Sequence, residues 1–489
     1  MRVLIADEGG YIGRKLAVRL AERGDEVTCL VPHLHDSPAS CPHVRFLPWQ
    51  VLTSSSWHAA RAEAGYYIAS PNGVPAESEC DSVRQFAHAA RDVGVRRLVG
   101  VTPWTAQETN DPCHALLTNA GVPASEVRVS AVIGHGSPAF EMIRAVVERA
   151  PVILCPPWTM APLQPVAIAD LVTFLAEATV QPGELRLLAG SSVETFSTMM
   201  AEYARARRLP RWMLPVRIPH ALWLRLAEAA SGLSRRQLEA IVATAGTATG
   251  RAGGHIETLP TPVDAAIRQA LEVAQLPQIG ARLVPEAQRT RHVIVRRHGF
   301  IVGQWQTVIA APARDTFAVI EAMGGERGWL FADELWQLRG ALDRAMGGPG
   351  LSRTRRDPAF VETGDRVDFW LVEAIERGKL LRYRAGMKMP GEAWLQFECD
   401  DYHGATLLRQ TIYFQPHGLG GELYWTAMYP FHLLLFEGMH QAIAAEARRR
   451  SRAQEDRLLD ARLSEFPTGQ FAQPPRPQVI QDRIGELTR

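Results

Sequence analysis

The run Val3-Leu4-Ile5-Ala6-Asp7-Glu8-Gly9-Gly10-Tyr11-Ile12-Gly13 constrains this chain more than any other feature. An apolar strand, a glycine turn and a helix beginning near Tyr11 make a dinucleotide-binding βαβ unit when the spacing is G-x-x-G-x-x-G, and here the first glycine is replaced by Asp7. A carboxylate in that turn brings negative charge to the positive end of a helix, where a pyrophosphate would be seated. Repulsion is therefore expected to weaken dinucleotide binding. The remaining turn residues, Gly10, Tyr11, Ile12 and Gly13, are the candidate cofactor-binding group.

Val3 to Ile5, Val27 to Val31 and Arg97 to Val101 are short apolar runs separated by helical stretches such as Gly13 to Arg23 and Val83 to Val93. The alternation predicts an α/β Rossmann-like domain, a doubly wound parallel sheet, over residues 1–276. Tyr66, Tyr67 and Ser70 end a strand on the side where such sheets seat ligands. Tyr67 is the candidate catalytic residue there, with packing over the sheet as the alternative.

The 489 residues carry a formal net charge of +1, which argues against a dedicated nucleic-acid binder because phosphate neutralisation needs a basic face. No run reaches about 18 apolar residues, so no membrane insertion is expected. The first strand begins without a charged, apolar, cleavable leader, and a cytoplasmic location follows as an expectation. The 6 cysteines show no C-x-x-C spacing and no His/Cys cluster, so neither a disulfide framework nor a metal site is expected.

Gly10 through Leu171 resembles the atypical short-chain dehydrogenase/reductases, NAD(P)-binding and epimerase-like. The resemblance is carried by Gly10-Tyr11-Ile12-Gly13, Gly65-Tyr66-Tyr67-Ile68, Ala89 to Arg97, Arg128 to Ser137, Phe140 to Arg144 and Gln164 to Asp170. It implies NADP or NAD as cofactor if the family role is retained. Three departures point the other way. Asp7 stands in the turn, Pro32 with His33 and His35 replaces the usual ribose anchor, and the only Tyr-x-x-x-Lys match, Tyr11 to Lys15, falls in the nucleotide turn as a chance coincidence. Together they make no cofactor the expectation.

Residues 277–290 read as a linker. Beyond it, Val293 to Arg297 and Thr307 to Ile309 are strand-like, and period-two alternation is plain in Val367 to Val372, Trp394 to Cys399 and Leu408 to Phe414, before a long apolar helix from about Leu423 to Arg449. A curved antiparallel sheet on a C-terminal helix encloses an apolar interior suited to a hydrophobic small molecule. Gly328-Trp329-Leu330, Asp333 to Trp336, Gly364 to Trp370, Met387 to Leu395 and Leu423 to His432 resemble an uncharacterised domain family similar to the START-like (SRPBCC) helix-grip proteins. That implies an α+β helix-grip domain over 291–450, followed by a poorly ordered tail over 451–489.

Alternation puts Trp394, Gln396 and Glu398 on one strand face, and Arg409, Thr411 and Tyr413 on one face of the next. A cavity containing Trp394, Glu398 and Tyr413 makes Glu398 and Tyr413 candidate catalytic residues. The alternative leaves Glu398 in solvent or paired with Arg409. His432 and His440, about two helical turns apart, are too distant for one metal and are read as making ordinary polar contacts. The expected function is a redox-neutral enzyme, a cyclase, isomerase or dehydratase acting on a hydrophobic small molecule. The alternatives are an NAD(P)H-dependent oxidoreductase with an unusual phosphate turn and a non-catalytic ligand carrier or sensor.

Overall fold

A computed structural model describes residues 1–7, 10–31, 43–48, 57, 60–69, 77–105, 121–177, 184–247, 255–272, 276, 291–345, 347–348, 350 and 355–464. Pro32, His33, His35, Ser70 and the linker 277–290 lie outside them, as does the tail beyond 464. In the first domain, eight strands form one parallel sheet: β1 (Arg2–Asp7), β2 (Glu26–Val31), β3 (Val44–Pro48), β4 (Ala64–Ile68), β5 (Arg97–Pro103), β6 (Ala124–Val129), β7 (Leu185–Ala189) and β8 (His255–Thr258). Their order is β8-β7-β6-β5-β4-β1-β2-β3. Helices α1 (Ile12–Glu22), α2 (Glu77–Asp92), α3 (Pro138–Arg149), α4 (Ile168–Glu177) and α5 (Phe196–Ala206) are the ones that matter below.

Strands β1, β2 and β4 are almost continuously apolar because both sheet faces are covered. One face packs Val3, Ile5, Val27 and Cys29 against Leu16, Ala17 and Leu20 of α1 and Phe174 and Leu175 of α4. The other packs Leu4, Leu30, Tyr67 and Leu98 against Val83, Phe86 and Ala90 of α2. The doubly wound α/β expectation is therefore met.

The second domain is a seven-stranded antiparallel sheet. Its strands are β9 (Arg291–Arg297), β10 (Phe300–Ile309), β11 (Arg366–Val367), β12 (Trp370–Glu376), β13 (Leu380–Ala385), β14 (Gly391–Tyr402) and β15 (Ala405–Pro416), in the order β9-β10-β15-β14-β13-β12-β11. Strands β14 and β15 pair from Gly391 opposite Pro416 to Tyr402 opposite Ala405, through a tight turn at His403 and Gly404 with φ of 53° and 82°. Positive φ at both positions is what a two-residue hairpin matched to the strand twist demands.

Helices α6 (Ala313–Glu321), α7 (Asp333–Ala345) and α8 (Gly418–Ser464) complete this domain. Along α8, Phe436, Met439, Ile443 and Ala447 form an apolar stripe at three- and four-residue spacing that packs on the sheet. The helix passes the expected end near 450 and continues to Ser464, through a segment of strong helix formers such as Arg452, Ala453, Gln454 and Glu455.

A buried carboxylate joins the domains. Glu148 in α3 accepts hydrogen bonds from Tyr203 Oη at 3.0 Å, Arg207 Nε at 2.8 Å and the backbone N–H of Gly418 at 2.7 Å. The last contact places a negative charge on the N-terminus of α8, which offers unpaired N–H groups and the positive end of a dipole. At the rim, Glu422 of α8 pairs with Arg149 and Arg296. Glu148→Gln keeps the volume but removes the charge that Arg207 and Gly418 use. It should lower stability by about 1–3 kcal/mol, read as a lower urea midpoint by circular dichroism. An unchanged midpoint would show that this node does not hold the domains together.

Candidate functional site

Strand β1 lies between β2 and β4, where the winding of the sheet reverses direction. Ligands of open α/β sheets sit outside the strand ends at that point. Asp7 ends β1 opposite Ile68 and is 1 % exposed. Its carboxylate accepts the Gly10 N–H at 2.8 Å and the Gly13 N–H at 2.6 Å. These are turn and first-turn donors of the kind that cradle phosphate in a nucleotide-binding unit. Asp7 therefore occupies the anion seat of its own turn.

The glycines are shaped around this carboxylate. A Cβ on Gly13 would lie 2.5 Å from the Cβ of Asp7, and Gly10 has φ +68°, where a side chain is strained. The effect of the site reaches Cys29, whose thiol is raised by burial first and by the Asp7 charge second. Tyr11, next in the turn, buries its hydroxyl without a hydrogen-bond partner. Burial raises its pKa, so the phenol stays neutral. The Lys15 ammonium stands 5.8 Å from the centre of the Tyr11 ring, over the ring face.

The second domain approaches this cleft through the β9–β10 turn. His298, at φ 50°, sits with its ring centre 5.5 Å from that of His135 and its Nδ1 3.6 Å from the Glu141 carboxylate. Glu141 also pairs with Arg144 and accepts the Gly136 N–H at 3.1 Å. Burial, then the charge of Arg144, lowers His135 to about 3. These contacts make a polar seam that joins the two domains. Among the described residues, no group of three or more His, Cys, Asp or Glu is arranged to hold a metal.

Inside the second domain, the sheet face toward α8 carries Trp305, Leu395, Phe397, Ile412 and Phe414, in one core with Trp329 and Trp336. Trp329 is a hub: its ring centre lies 5.3 Å from Trp336, 6.3 Å from Trp370 and 5.9 Å from Tyr383. Its Nε1 donates to Asp368 at 2.7 Å. Phe436 of α8 continues the chain of rings, 6.2 Å from Trp336 and 5.9 Å from Trp305.

Several polar atoms in this aromatic interior have no hydrogen-bond partner in the chain: Nε1 of Trp305, Trp336 and Trp370, the Tyr383 hydroxyl, Gln410 Oε1, and both ring nitrogens of His440. His440 is 0 % exposed, and burial lowers it to about 3, so its imidazole is neutral. His432, half-buried on the same helix, is lowered to about 4 by burial and by the Arg339 charge. The ordinary polar contact expected of His440 is therefore not made. Alternation flags inward polar residues on strands, but the helical histidines at 432 and 440 share a stripe with Phe436, and that spacing was the available signal.

The candidate catalytic residues from the sequence fall elsewhere. Trp394, Glu398 and Tyr413 share a face, as alternation requires, but it is the face turned away from α8. There Trp394 and Tyr413 pack with Phe300 and Val302 in a small cluster of their own. Glu398 pairs with Arg409 at 3.4 Å, the plainer of the two expectations for it. The reason is hydrophobic: Leu395, Phe397 and Cys399 on one strand and Leu408, Ile412 and Phe414 on the next form the more apolar face, and that face goes to the core. Tyr67 is fully buried, its ring 5.3 Å from Phe86 under α2, and the fold does not bring it to Glu398 or Tyr413. Gly10, Tyr11, Ile12 and Gly13 form the turn expected of them, closed on Asp7.

Residues 301–439 match the model of a family described as a protein of unknown function (DUF2867). No curated protein matches the chain. Solved structures with a similar fold include the Bordetella bronchiseptica enzyme WbmH in complex with NAD+, 13 % identical, covering 55 % of this chain and 97 % of its own at a TM-score of 0.39. A nucleoside-diphosphate-sugar epimerase from Staphylococcus aureus is 14 % identical, covering 55 % of this chain and 100 % of its own at 0.43. A triphenylmethane reductase from Citrobacter sp. is 15 % identical, covering 56 % and 100 % at 0.43. No helix among the described residues is long and apolar enough to cross a membrane.

The neutral interior imidazole makes stability depend on pH. His440 is lowered from 6.5 to about 3. Between those values the unfolded chain binds a proton there and the native chain does not, so stability is lost as pH falls below 6.5. At pH 5 the cost is about 2 kcal/mol for one such histidine. His440→Gln should lose about 2 kcal/mol less than the native protein between pH 7 and pH 5, measured by urea unfolding at both values. Equal losses would show that His440 is not buried in the neutral form.

Proposed function

We propose that this chain is a redox-neutral enzyme of cyclase, isomerase or dehydratase type, acting on a hydrophobic small molecule held by the second domain, on a dinucleotide fold that has become a scaffold. The carrying observation is the Asp7 carboxylate on the Gly10 and Gly13 N–H groups. A phosphate entering this turn would lose those donors and meet a like charge. At about 4 Å and an effective dielectric constant of about 20, that repulsion is about 4 kcal/mol, close to three powers of ten in affinity.

We read the second domain as a helix-grip (START-like) ligand-binding fold. Its interior supports the binding of such a molecule with two neutral groups able to hydrogen-bond it, the His440 imidazole and the Tyr383 phenol, which burial raises. Moving a proton from a carbon beside a carbonyl to another atom of the same molecule consumes no oxidant or reductant. The aromatic walls supply orientation, which lowers the entropic part of such a barrier. A cytoplasmic setting fits the buried free thiols of Cys29, Cys155 and Cys399.

One observation favours a second reading, an NAD(P)H-dependent oxidoreductase: β1 keeps its place at the switch point, and Gly10 keeps the left-handed turn. Calorimetric titration with NADPH and NADH separates the two. The native protein should give no saturable heat up to about 1 mM nucleotide, and Asp7→Gly should bind in the micromolar range. Micromolar binding by the native protein would restore the oxidoreductase reading.

A further inference from the structure

We infer that the molecule held inside the second domain is a polyoxygenated aromatic or alicyclic compound, its oxygens present as ketone, ether or phenol; this rests on reading that interior as the substrate site. The chemistry of the unpaired groups decides the class. Three of them, the indole N–H groups of Trp305, Trp336 and Trp370, can only donate. The Tyr383 hydroxyl and one nitrogen of neutral His440 add two more donors, and the amide oxygen of Gln410 is a pure acceptor among them.

A buried donor left unpaired is destabilising, and native interiors hold few of them. Here they belong to one set of neighbouring aromatic rings: Trp336 and Trp370 both pack on Trp329, and Trp305 joins Trp336 through Phe436. Tyr383 packs on the same hub. A purely hydrocarbon ligand would leave every donor unpaired, whereas one bearing several oxygens around a ring system satisfies them and stacks on the indoles.

Charge narrows the class further. Among the described residues, Asp368 Oδ2 accepts from Trp329 and Asp343 from the N–H groups of Gly350 and Lys388, which disfavours these acids as partners of a cationic ligand. One cation beside this interior, Arg339, lowers His432 and carries an unpaired Nη2. It suits a carbonyl or phenolic oxygen at one end of the ligand.

The test uses the full chain and two probes of one skeleton, 5,8-dihydroxy-1-tetralone and naphthalene, followed by quenching of tryptophan fluorescence. The tetralone should quench saturably and bind at least about tenfold more tightly than naphthalene. Trp305→Phe and Trp370→Phe keep a ring and delete the N–H. Each should weaken the tetralone about 5-fold or more and leave naphthalene unchanged, with melting temperature checked in parallel. No saturable tetralone binding, equal binding of the two probes, or tetralone affinity unaffected in both variants would overturn the inference. Nucleotide binding by the first domain would overturn the redox-neutral reading alone, since these variants report only on the second.

Discussion

The contact on which the rest of the account depends is the one between the Asp7 carboxylate and the Gly10 and Gly13 N–H groups. Backbone donors at the start of a helix need an acceptor, and most dinucleotide folds leave them for the cofactor. Here the chain satisfies them itself, with a residue buried at the end of β1. The glycine at 13 remains necessary for a different reason: a side chain there would collide with Asp7 and not with a pyrophosphate. The sheet keeps the order and the switch point of a doubly wound fold, and two N–H groups of its first turn are taken by the chain's own carboxylate.

If the first domain has lost its cofactor, its remaining physical role is in the seam with the second. Glu148 caps the helix that covers the aromatic interior, and His298 from the second domain reaches Glu141 and His135 at the mouth of the old cleft. The helix that covers the aromatic interior is therefore fixed at its first turn by the first domain. The scaffold reading gives that domain work that is mechanical and electrostatic, with no step routed through a nucleotide.

The fold was largely legible in the sequence because period-two and period-3.6 patterns report burial directly. Both sheets, the turn at Gly10 to Gly13 and the long C-terminal helix follow from those patterns, and the substitution at Asp7 stood out against them. What alternation does not say is which face of a half-buried strand turns inward. Trp394, Glu398 and Tyr413 were placed together correctly but toward the wrong side, since the competing face of Leu395, Phe397 and Ile412 is more apolar. Tyr67 takes the second of its two expected places, packed over the sheet: in a strand covered on both faces, a position near the ligand-binding end does not mean a side chain in the cleft. The unpaired polar atoms around His440 and Trp370 come from six separate elements, β10, α7, β12, β13, β15 and α8, and no local pattern records such a combination.

Hydrogen exchange at the nucleotide turn tests the central claim most directly. Exchange should be followed by mass spectrometry in peptides spanning residues 7–20, with and without saturating NADPH. If Asp7 holds the Gly10 and Gly13 N–H groups, these amides exchange slowly in the free protein and NADPH changes nothing. Fast exchange in the free protein that slows on adding NADPH would show that the seat belongs to a nucleotide after all.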